Sequence, residues 1–157
     1  MKDTVILGID PGSIRSGYGI IKKRGNTLYH VENGIISPDK GVVFRERIAY
    51  IFKGVLDIIE LYQPDIMGLE DIFISVNAKS ALKLGHVKGV VMAAAVLKNI
   101  PLRELTPTKV KKAITGSGRA SKAQIAMMVK TILQLPEPPQ EDAADALAVA
   151  IARSFSL

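Results

Sequence analysis

The stretch Val5-Ile6-Leu7-Gly8-Ile9-Asp10-Pro11-Gly12 joins a run of aliphatic residues to an acidic residue and a turn signal. The β-branched and aliphatic residues predict a buried strand at residues 4–9, and the Pro-Gly pair predicts its end. An aspartate in this position is unusual, because carboxylates are rarely buried unless they are paired or bound to a metal. The stretch therefore predicts the first strand of a sheet and the first residue of a site.

Three further acidic residues adjoin apolar segments in the same way. Glu70 ends the run Ile66-Met67-Gly68-Leu69, while Asp142 and Asp145 interrupt a small-apolar stretch. Asp142 and Asp145 are three residues apart, so they share one face of a predicted helix, near the end where the helix dipole favours negative charge. We expect all four carboxylates to meet in one site whose charge is neutralised by divalent cations.

Each of these acids also has an ordinary interpretation when it is taken alone. Asp10 before Pro-Gly is typical of a turn residue. Glu70 is of a residue type that commonly pairs with a lysine. Asp142 is typical of an N-terminal helix acid, and Asp145 of a solvent-facing one. The four together favour a shared site, because each adjoins a strongly apolar segment.

The hydrophobic pattern along the chain predicts an α/β fold with a five-stranded mixed sheet flanked by helices. The predicted strands are residues 4–9, 17–23, 27–36, 65–70 and 101–105, and the predicted helices are residues 42–61, 78–98, 106–115, 121–135 and 140–157. An antiparallel hairpin then lies at the edge of a parallel core. Residues just past the carboxyl ends of parallel strands face the ligand crevice, and Asp10 and Glu70 both occupy that position. We expect residues 1–157 to form a single domain.

Composition narrows the class of protein. The 157 residues carry a net charge of +6 and include no cysteine, which excludes disulfides, zinc–thiolate sites and thiol nucleophiles. The longest apolar run, residues 90–97, is far shorter than the roughly 20 residues that span a bilayer. The N-terminus lacks a signal-peptide pattern. We therefore expect a cytoplasmic protein with no membrane partner.

The charge distribution favours an enzyme that acts on nucleic acid. A basic surface attracts phosphates, and a local group of carboxylates can hold metal at the scissile bond. Mg²⁺, with Mn²⁺ as a substitute, is the expected cofactor, because these hard ions take oxygen ligands. Two such ions roughly 3.5–4 Å apart can activate a water and stabilise the leaving oxygen of a phosphoryl displacement.

With these residues identified, the chain resembles the RuvC family of Holliday-junction resolvases, within the ribonuclease-H-like superfamily. The matching stretches are Gly8-Ile9-Asp10-Pro11-Gly12, Leu69-Glu70-Asp71-Ile72-Phe73, residues 77–85 and Glu141-Asp142-Ala143-Ala144-Asp145-Ala146-Leu147-Ala148. They are spread over nearly the whole chain in the family's order. Gly-Ile-Asp-Pro-Gly alone would be a weak signal, whereas the full set is specific.

The resemblance implies a homodimeric, Mg²⁺-dependent endonuclease that binds four-way DNA junctions and nicks two strands symmetrically. It also implies the RuvA and RuvB branch-migration complex as partners. The four acids match the family's metal-binding catalytic residues. Phe73 matches an aromatic residue that packs on a base, and Lys111 and Lys122 match basic residues near the DNA backbone.

Basic residues also bracket the segment Gly116-Ser117-Gly118. Lys111, Arg119 and Lys122 are among them, and we expect this loop to contact phosphates. An ordinary helix–helix turn with solvated lysines is the alternative. Arg15 lies near Asp10 in sequence, but nothing in the sequence separates a phosphate contact from a surface arginine. The helix at residues 78–98 is either fully buried or presents one face to a second subunit.

Three other functions share some of these features. A ribonuclease H or a transposase-like nuclease would use the same acids on the same fold. An actin-like ATPase lobe also begins with an acid-glycine strand turn, although that fold needs two lobes and this chain is too short for both. A non-catalytic junction-binding module is the third, and the intact acid set is evidence against it.

Overall fold

A computed structural model of the chain describes residues 2–71 and 77–156. The strands are β1 (Thr4–Asp10), β2 (Ser16–Arg24), β3 (Thr27–Ile36), β4 (Ile66–Glu70) and β5 (Leu102–Leu105). The helices are α1 (Phe44–Tyr62), α2 (Ala78–Leu97), α3 (Pro107–Thr115), α4 (Lys122–Ile132) and α5 (Glu141–Ser154). The predicted elements are confirmed, with ends that differ by at most three residues.

The strands form one mixed sheet in the order β3-β2-β1-β4-β5. The strand β1 pairs antiparallel with β2 and parallel with β4, and β4 pairs parallel with β5. Gly25, with φ of 58°, lies in the turn between β2 and β3. The predicted antiparallel hairpin on a parallel core is therefore confirmed, and β1 occupies the centre of the sheet.

Side-chain alternation along β1 divides the core into two layers. Leu7 and Ile9 pack in a cluster with α1 and α2, whereas Ile6 packs in a cluster with α3, α4 and α5. Because strand side chains alternate between faces, Gly8 and Asp10 share the face of Ile6. By the same alternation Glu70 on β4 faces α5. Both strand-end acids therefore point to the layer that contains the other two.

A row of glycines brings α5 down onto this face of the sheet. Gly8 pairs in register with Gly19 on β2 and with Gly68 on β4. A Cβ atom at Gly8 would lie 2.2 Å from the carbonyl oxygen of Ala146 and 2.5 Å from the backbone nitrogen of Ala150. The helix thus lies against the backbone of the central strand, and a side chain between them would force it away.

The same close approach continues at the N-terminal end of α5. Gly17 pairs with Asp10 across β1 and β2. A Cβ atom at Gly17 would lie 2.1 Å from the carbonyl oxygen of Asp142. The first turn of α5 is therefore held next to the carboxyl end of β1.

Short-range signals define the ends of α3 and α4. The side chain of Thr106 accepts a hydrogen bond from the backbone of Lys109 at the start of α3, and Gly116, with φ of 80°, ends that helix. Ser121 and Gln124 form a capping box at the start of α4. These caps fix the direction of both helices, which form one wall of the site described below.

The helix α2 is packed on one side only. Val87, Val91 and Ala94 are buried against the rest of the fold, while Val96 and Leu97 are exposed. The prediction of a fully buried helix is therefore wrong, and its alternative, a face that meets a second subunit, stays a prediction. Within residues 2–71 and 77–156, α2 is also the one helix long and apolar enough to cross a membrane. Length and composition alone decide that criterion, and helices of soluble proteins also satisfy it.

Candidate active site at the carboxyl ends of β1 and β4

Asp10 and Glu70 end two adjacent parallel strands. The register pairs Ile9 with Leu69, so the following residues lie side by side. Both acids line a cavity of about 220 Å³, together with Asp145 from α5. Its remaining lining residues are Lys111, Lys122, Pro107, Val110, Ile125 and Ala148. The structure therefore brings together three of the four predicted acids, from three separate elements.

Burial and mutual repulsion determine the protonation of these acids. Asp10 and Glu70 share a side-chain hydrogen bond, and burial is the main cause that raises the pKa of both. The hydrogen bond and the charge of Glu70 raise the pKa of Asp10 further, whereas the same hydrogen bond partly opposes the rise in the pKa of Glu70. Burial and the charge of Asp10 likewise raise the pKa of Asp145, to about 6. Such shifts are typical of carboxylates that lack a counter-charge. The site therefore favours binding of a proton or another cation.

Asp142 lies beside this cavity and faces a different partner. It is in the first turn of α5, where Gln140 caps the helix by accepting from the backbone of Asp142 and Ala143. Its carboxylate accepts a hydrogen bond from Nε of Arg15 at 2.5 Å. The charge of Asp142 still contributes to the raised pKa of Asp10. Asp142 is thus near enough to act on Asp10 and Asp145, although its side chain is paired at the edge of the site.

Two of the predicted DNA-contacting lysines lie in the cavity itself. Lys122, at the start of α4, has its Nζ atom 2.5 Å from Glu141 and 3.6 Å from Asp145. Lys111 on α3 also lines the cavity. Both positive charges counteract the upward pKa shift of Glu70. Positive charge therefore flanks the carboxylates at the cavity rim, where a phosphate would enter.

Two other predicted DNA contacts are not placed beside the acids. Arg119 lines a different cavity, of about 480 Å³, between α3 and α4, together with Ser117 and Met127. Phe73 lies outside the described residues, so its predicted stacking on a base stays a prediction. The basic residues around this loop therefore fall into two groups. Lys111 and Lys122 line the cavity of the acids, and Arg119 lines the other cavity.

Asp71 lies outside the acid group, because strand alternation turns its side chain away from that of Glu70. It pairs with Lys88 of α2, which also contacts Glu104 at 2.8 Å. That lysine belongs to the layer on the opposite face of the sheet from α5. Two consecutive residues thus have different roles: Glu70 belongs to the site, and Asp71 pairs with Lys88 of α2.

Two contributors were missed at the sequence level. Glu141 pairs with Lys122, and Arg15 pairs with Asp142. Glu141 directly precedes an acid of the site, so it is a visible candidate in the sequence. The pairing of Arg15 has no sequence signal, because 127 positions separate it from its partner.

The donors of this site fit a hard divalent cation by their chemistry. Carboxylate oxygens line the cavity, and their raised pKa values show that they lack a sufficient counter-charge. In the arrangement seen for residues 2–71 and 77–156, however, no three acidic, histidine or cysteine side chains already converge as a ligand group. Binding of a cation would therefore require these side chains to rotate. Asp142 is partly exposed and is held by an ion pair with Arg15 at the edge of the site, so its side chain can turn.

Comparisons with known proteins agree with this arrangement. A family model described as "Crossover junction endodeoxyribonuclease RuvC" matches residues 6–153. A relative with this name from Citrifermentans bemidjiense is 51% identical over 152 residues, which cover 97% of this chain and 93% of the relative. Another, from Geotalea uraniireducens, is 50% identical over 151 residues, with 96% and 88% covered.

Solved structures show the same architecture. Thermus thermophilus RuvC in complex with Holliday junction substrate superposes with a TM-score of 0.91 at 31% sequence identity, covering 98% of this chain and 94% of that one. The yeast mitochondrial Holliday junction resolvase has a TM-score of 0.67 at 16% identity, covering 94% and 76%, and this likeness shows the fold alone. The predicted ribonuclease-H-like fold is confirmed.

Proposed function

Since this chain belongs to the RuvC family of crossover junction endodeoxyribonucleases, we propose that it resolves four-way DNA junctions in recombination and repair. It binds the junction and hydrolyses one phosphodiester bond in each of two strands of like polarity. The observation that supports this most directly is the cavity that Asp10, Glu70 and Asp145 line together. The junction-bound relative with the same architecture supports the choice of substrate.

The proposed cofactor is Mg²⁺, with two ions in each site and Mn²⁺ as a substitute. Asp10, Glu70, Asp142 and Asp145 would hold them, because hard cations prefer carboxylate oxygens. When bound, the ions supply an activated water and neutralise the leaving oxygen. The upward pKa shifts of Asp10, Glu70 and Asp145 support this proposal, since they mark a site that needs positive charge.

The chain's own residues bind and orient the substrate. Lys111 and Lys122 contact the phosphates on either side of the scissile bond, because both ammonium groups flank the acids. Arg119 contacts the backbone of a more distant part of the junction. Phe73 stacks on a base next to the cut, a contact that is worth about 1–3 kcal/mol in proteins that bind unpaired strands. The charges of Lys111, Lys122 and Arg119 act before the cut, because they hold the strand in place.

The proposed enzyme is a homodimer of single-domain chains, each folded from residues 1–157. A four-way junction cut symmetrically needs two active sites related by a two-fold axis. The exposed apolar side of α2, with Leu82, Val96 and Leu97, supports a contact with a second subunit. We further propose that RuvA and RuvB supply branch migration and that the enzyme acts in the cytoplasm, with no membrane partner.

Digestion of a synthetic four-way junction in Mg²⁺ tests this function, with Asp10→Asn and Glu70→Gln as variants. We expect both variants to lose Mg²⁺-dependent cutting and to keep junction binding, because each removes one metal ligand and leaves the basic rim intact. Asp71→Asn is the matched control, since Asp71 is adjacent in sequence but pairs with Lys88 on the other face. Cutting should survive in that control.

Three outcomes would overturn the proposal. Undiminished cutting by Asp10→Asn or Glu70→Gln would refute the metal assignment. Cutting of an RNA–DNA hybrid without any cutting of the junction would assign the chain to a ribonuclease H activity instead. Tight junction binding by the unmodified protein with no cutting in Mg²⁺ or Mn²⁺ would leave a binding module.

A further inference from the structure

The loop between β1 and β2 is a fixed structure at the mouth of the acid cavity. The buried hydroxyl of Ser16 accepts a hydrogen bond from the backbone nitrogen of Gly12 at 3.1 Å. Arg47 of α1 donates to the carbonyl of Ser13 at 3.0 Å. A Cβ atom at Gly12 would lie 2.1 Å from the carbonyl oxygen of Arg15, so the loop is tightly closed. The backbone of Arg15 is therefore held in one place.

From this loop Arg15 reaches across to α5. Its Nε atom donates to Oδ2 of Asp142 at 2.5 Å, while 54% of the Arg15 side chain stays exposed to solvent. A guanidinium has five N–H donors, and this hydrogen bond uses one of them. Arg15 thus combines a fixed backbone, a permanent positive charge and free donor capacity beside a proposed metal ligand.

We propose that Arg15 exchanges Asp142 for a DNA phosphate when the site is loaded. A carboxylate that turns toward a divalent cation leaves its arginine without a partner, and an arginine at this rim is well suited to bind a phosphate through two parallel hydrogen bonds. Arg15 is then a positioning residue. It holds Asp142 outward in the empty site and holds the DNA strand in the loaded one.

This inference deepens the proposed nuclease function and rests on it. It has two consequences of opposite sign. Loss of Arg15 should strengthen binding of a divalent cation to the DNA-free protein, because the cation then binds Asp142 without first breaking the ion pair between Arg15 and Asp142. The same loss should weaken binding of the junction, because one phosphate contact disappears. A residue that merely stabilises the fold would not produce opposite changes.

Arg15→Gln tests both consequences without any measurement of cutting. Calorimetric titration of the DNA-free protein with Mn²⁺ should show an affinity about two- to five-fold higher, the range expected for a partly exposed ion pair. Junction binding measured with Ca²⁺ loaded in the site, over a series of NaCl concentrations, should weaken, and the slope of log K against log salt should fall by about 1. Arg15→Lys should restore the salt slope, because it keeps the charge.

Arg24→Gln is the matched control. Arg24 donates through Nε to Asp3 at 2.7 Å, is similarly exposed, and ends the strand β2 that Arg15 precedes. The variant therefore loses the same charge at the end of the sheet away from the acids, together with an ion pair in which Arg24 also donates through Nη2 to Asp3 at 2.8 Å. We expect neither Mn²⁺ affinity nor the salt slope to change in this control.

Two results would overturn the exchange. Equal behaviour of the Arg15 and Arg24 variants in both measurements would show that Arg15 is an ordinary surface arginine. Lower Mn²⁺ affinity in Arg15→Gln would show that Arg15 supports Asp142 as a ligand. A junction that the unmodified protein binds but never cuts would refute the nuclease function alone, since neither readout here depends on cutting.

Discussion

The two faces of the central sheet are built in contrasting ways. On the face toward α1 and α2, large side chains such as Leu7, Ile9, Met67 and Leu69 are fully buried and separate the helices from the strands. On the face toward α5, the positions between them include Gly8 and Gly68, and the helix contacts backbone directly. The first face is filled by side-chain volume, and the second depends on the absence of side chains.

The difference explains why the acids meet on only one face. A helix held at backbone distance brings its first turn within reach of the strand ends, so Asp142 and Asp145 approach Asp10 and Glu70. A helix separated by a layer of leucine and isoleucine would place its carboxylates farther away. On the opposite face the acid Asp71 finds Lys88 instead. Close packing of backbone is therefore the physical requirement of this site.

Gly8→Ala is the substitution that should disturb this contrast most. The added methyl group would meet backbone atoms of α5 at 2.2 and 2.5 Å, and backbone cannot rotate away as a side chain can. We expect a loss of about 3 kcal/mol or more in the free energy of unfolding, measured by chemical denaturation. Junction cutting should fall in the fraction that folds.

Gly89→Ala is the control for Gly8→Ala, because among the described residues nothing beyond its own stretch of helix lies within 4 Å of its added Cβ, and Gly89 is in the middle of α2. That change should stabilise the protein by about 0.5–1 kcal/mol, since alanine favours a helix over glycine. A Gly8→Ala protein as stable as the unmodified chain would show that α5 is not held at backbone distance.

The next largest effect should be a pH dependence of stability that arises from the acids on the α5 face of the sheet. The pKa of Asp145 is raised to about 6, above the roughly 3.9 of an unfolded aspartate, so the folded state binds more protons between these values. The stability of the metal-free protein should therefore fall as pH rises from about 4 through 6, by about 1–3 kcal/mol. Thermal unfolding across that range measures this fall.

Divalent cations should reverse that loss of stability. Mg²⁺ at about 100 times its dissociation constant adds roughly 2.7 kcal/mol, and it should do so chiefly above pH 6, where the carboxylates are ionised. Asp145→Asn should flatten the pH dependence, whereas Asp71→Asn, on the other face, should leave it in place. Stability that rises between pH 4 and 6 in the metal-free protein would contradict the raised pKa values.

Ile51→Val should have the smallest effect. Ile51 of α1 is fully buried on the side-chain-filled face, and removal of one methyl group there typically costs about 0.5–1.5 kcal/mol. We expect the cutting rate at a temperature well below the unfolding midpoint to stay unchanged. A large loss of cutting with so small a loss of stability would show that the α1 side also controls the position of the acids.

Local pattern was enough to predict much of this molecule. The end of β1 at Asp10, the cap of α4 at Ser121 and the spacing of Asp142 and Asp145 are properties of neighbouring residues, so the sequence shows them directly. The side-chain alternation that turns Asp71 away from Glu70 is equally local. The pairing of Arg15 with Asp142 needed more, because 127 positions separate the two residues.

The sequence by itself determined which residues end the strands, which face each acid occupies and which ions suit their oxygens, because strand and helix periods and ligand chemistry act over a few residues. Only the tertiary structure decided that Gly8, Gly19 and Gly68 align into one row and that Asp142 pairs with Arg15. Register between strands and the approach of α5 are set by long-range packing. Local periodicity contains no information about that distance, and the distance is what brings the carboxylates together.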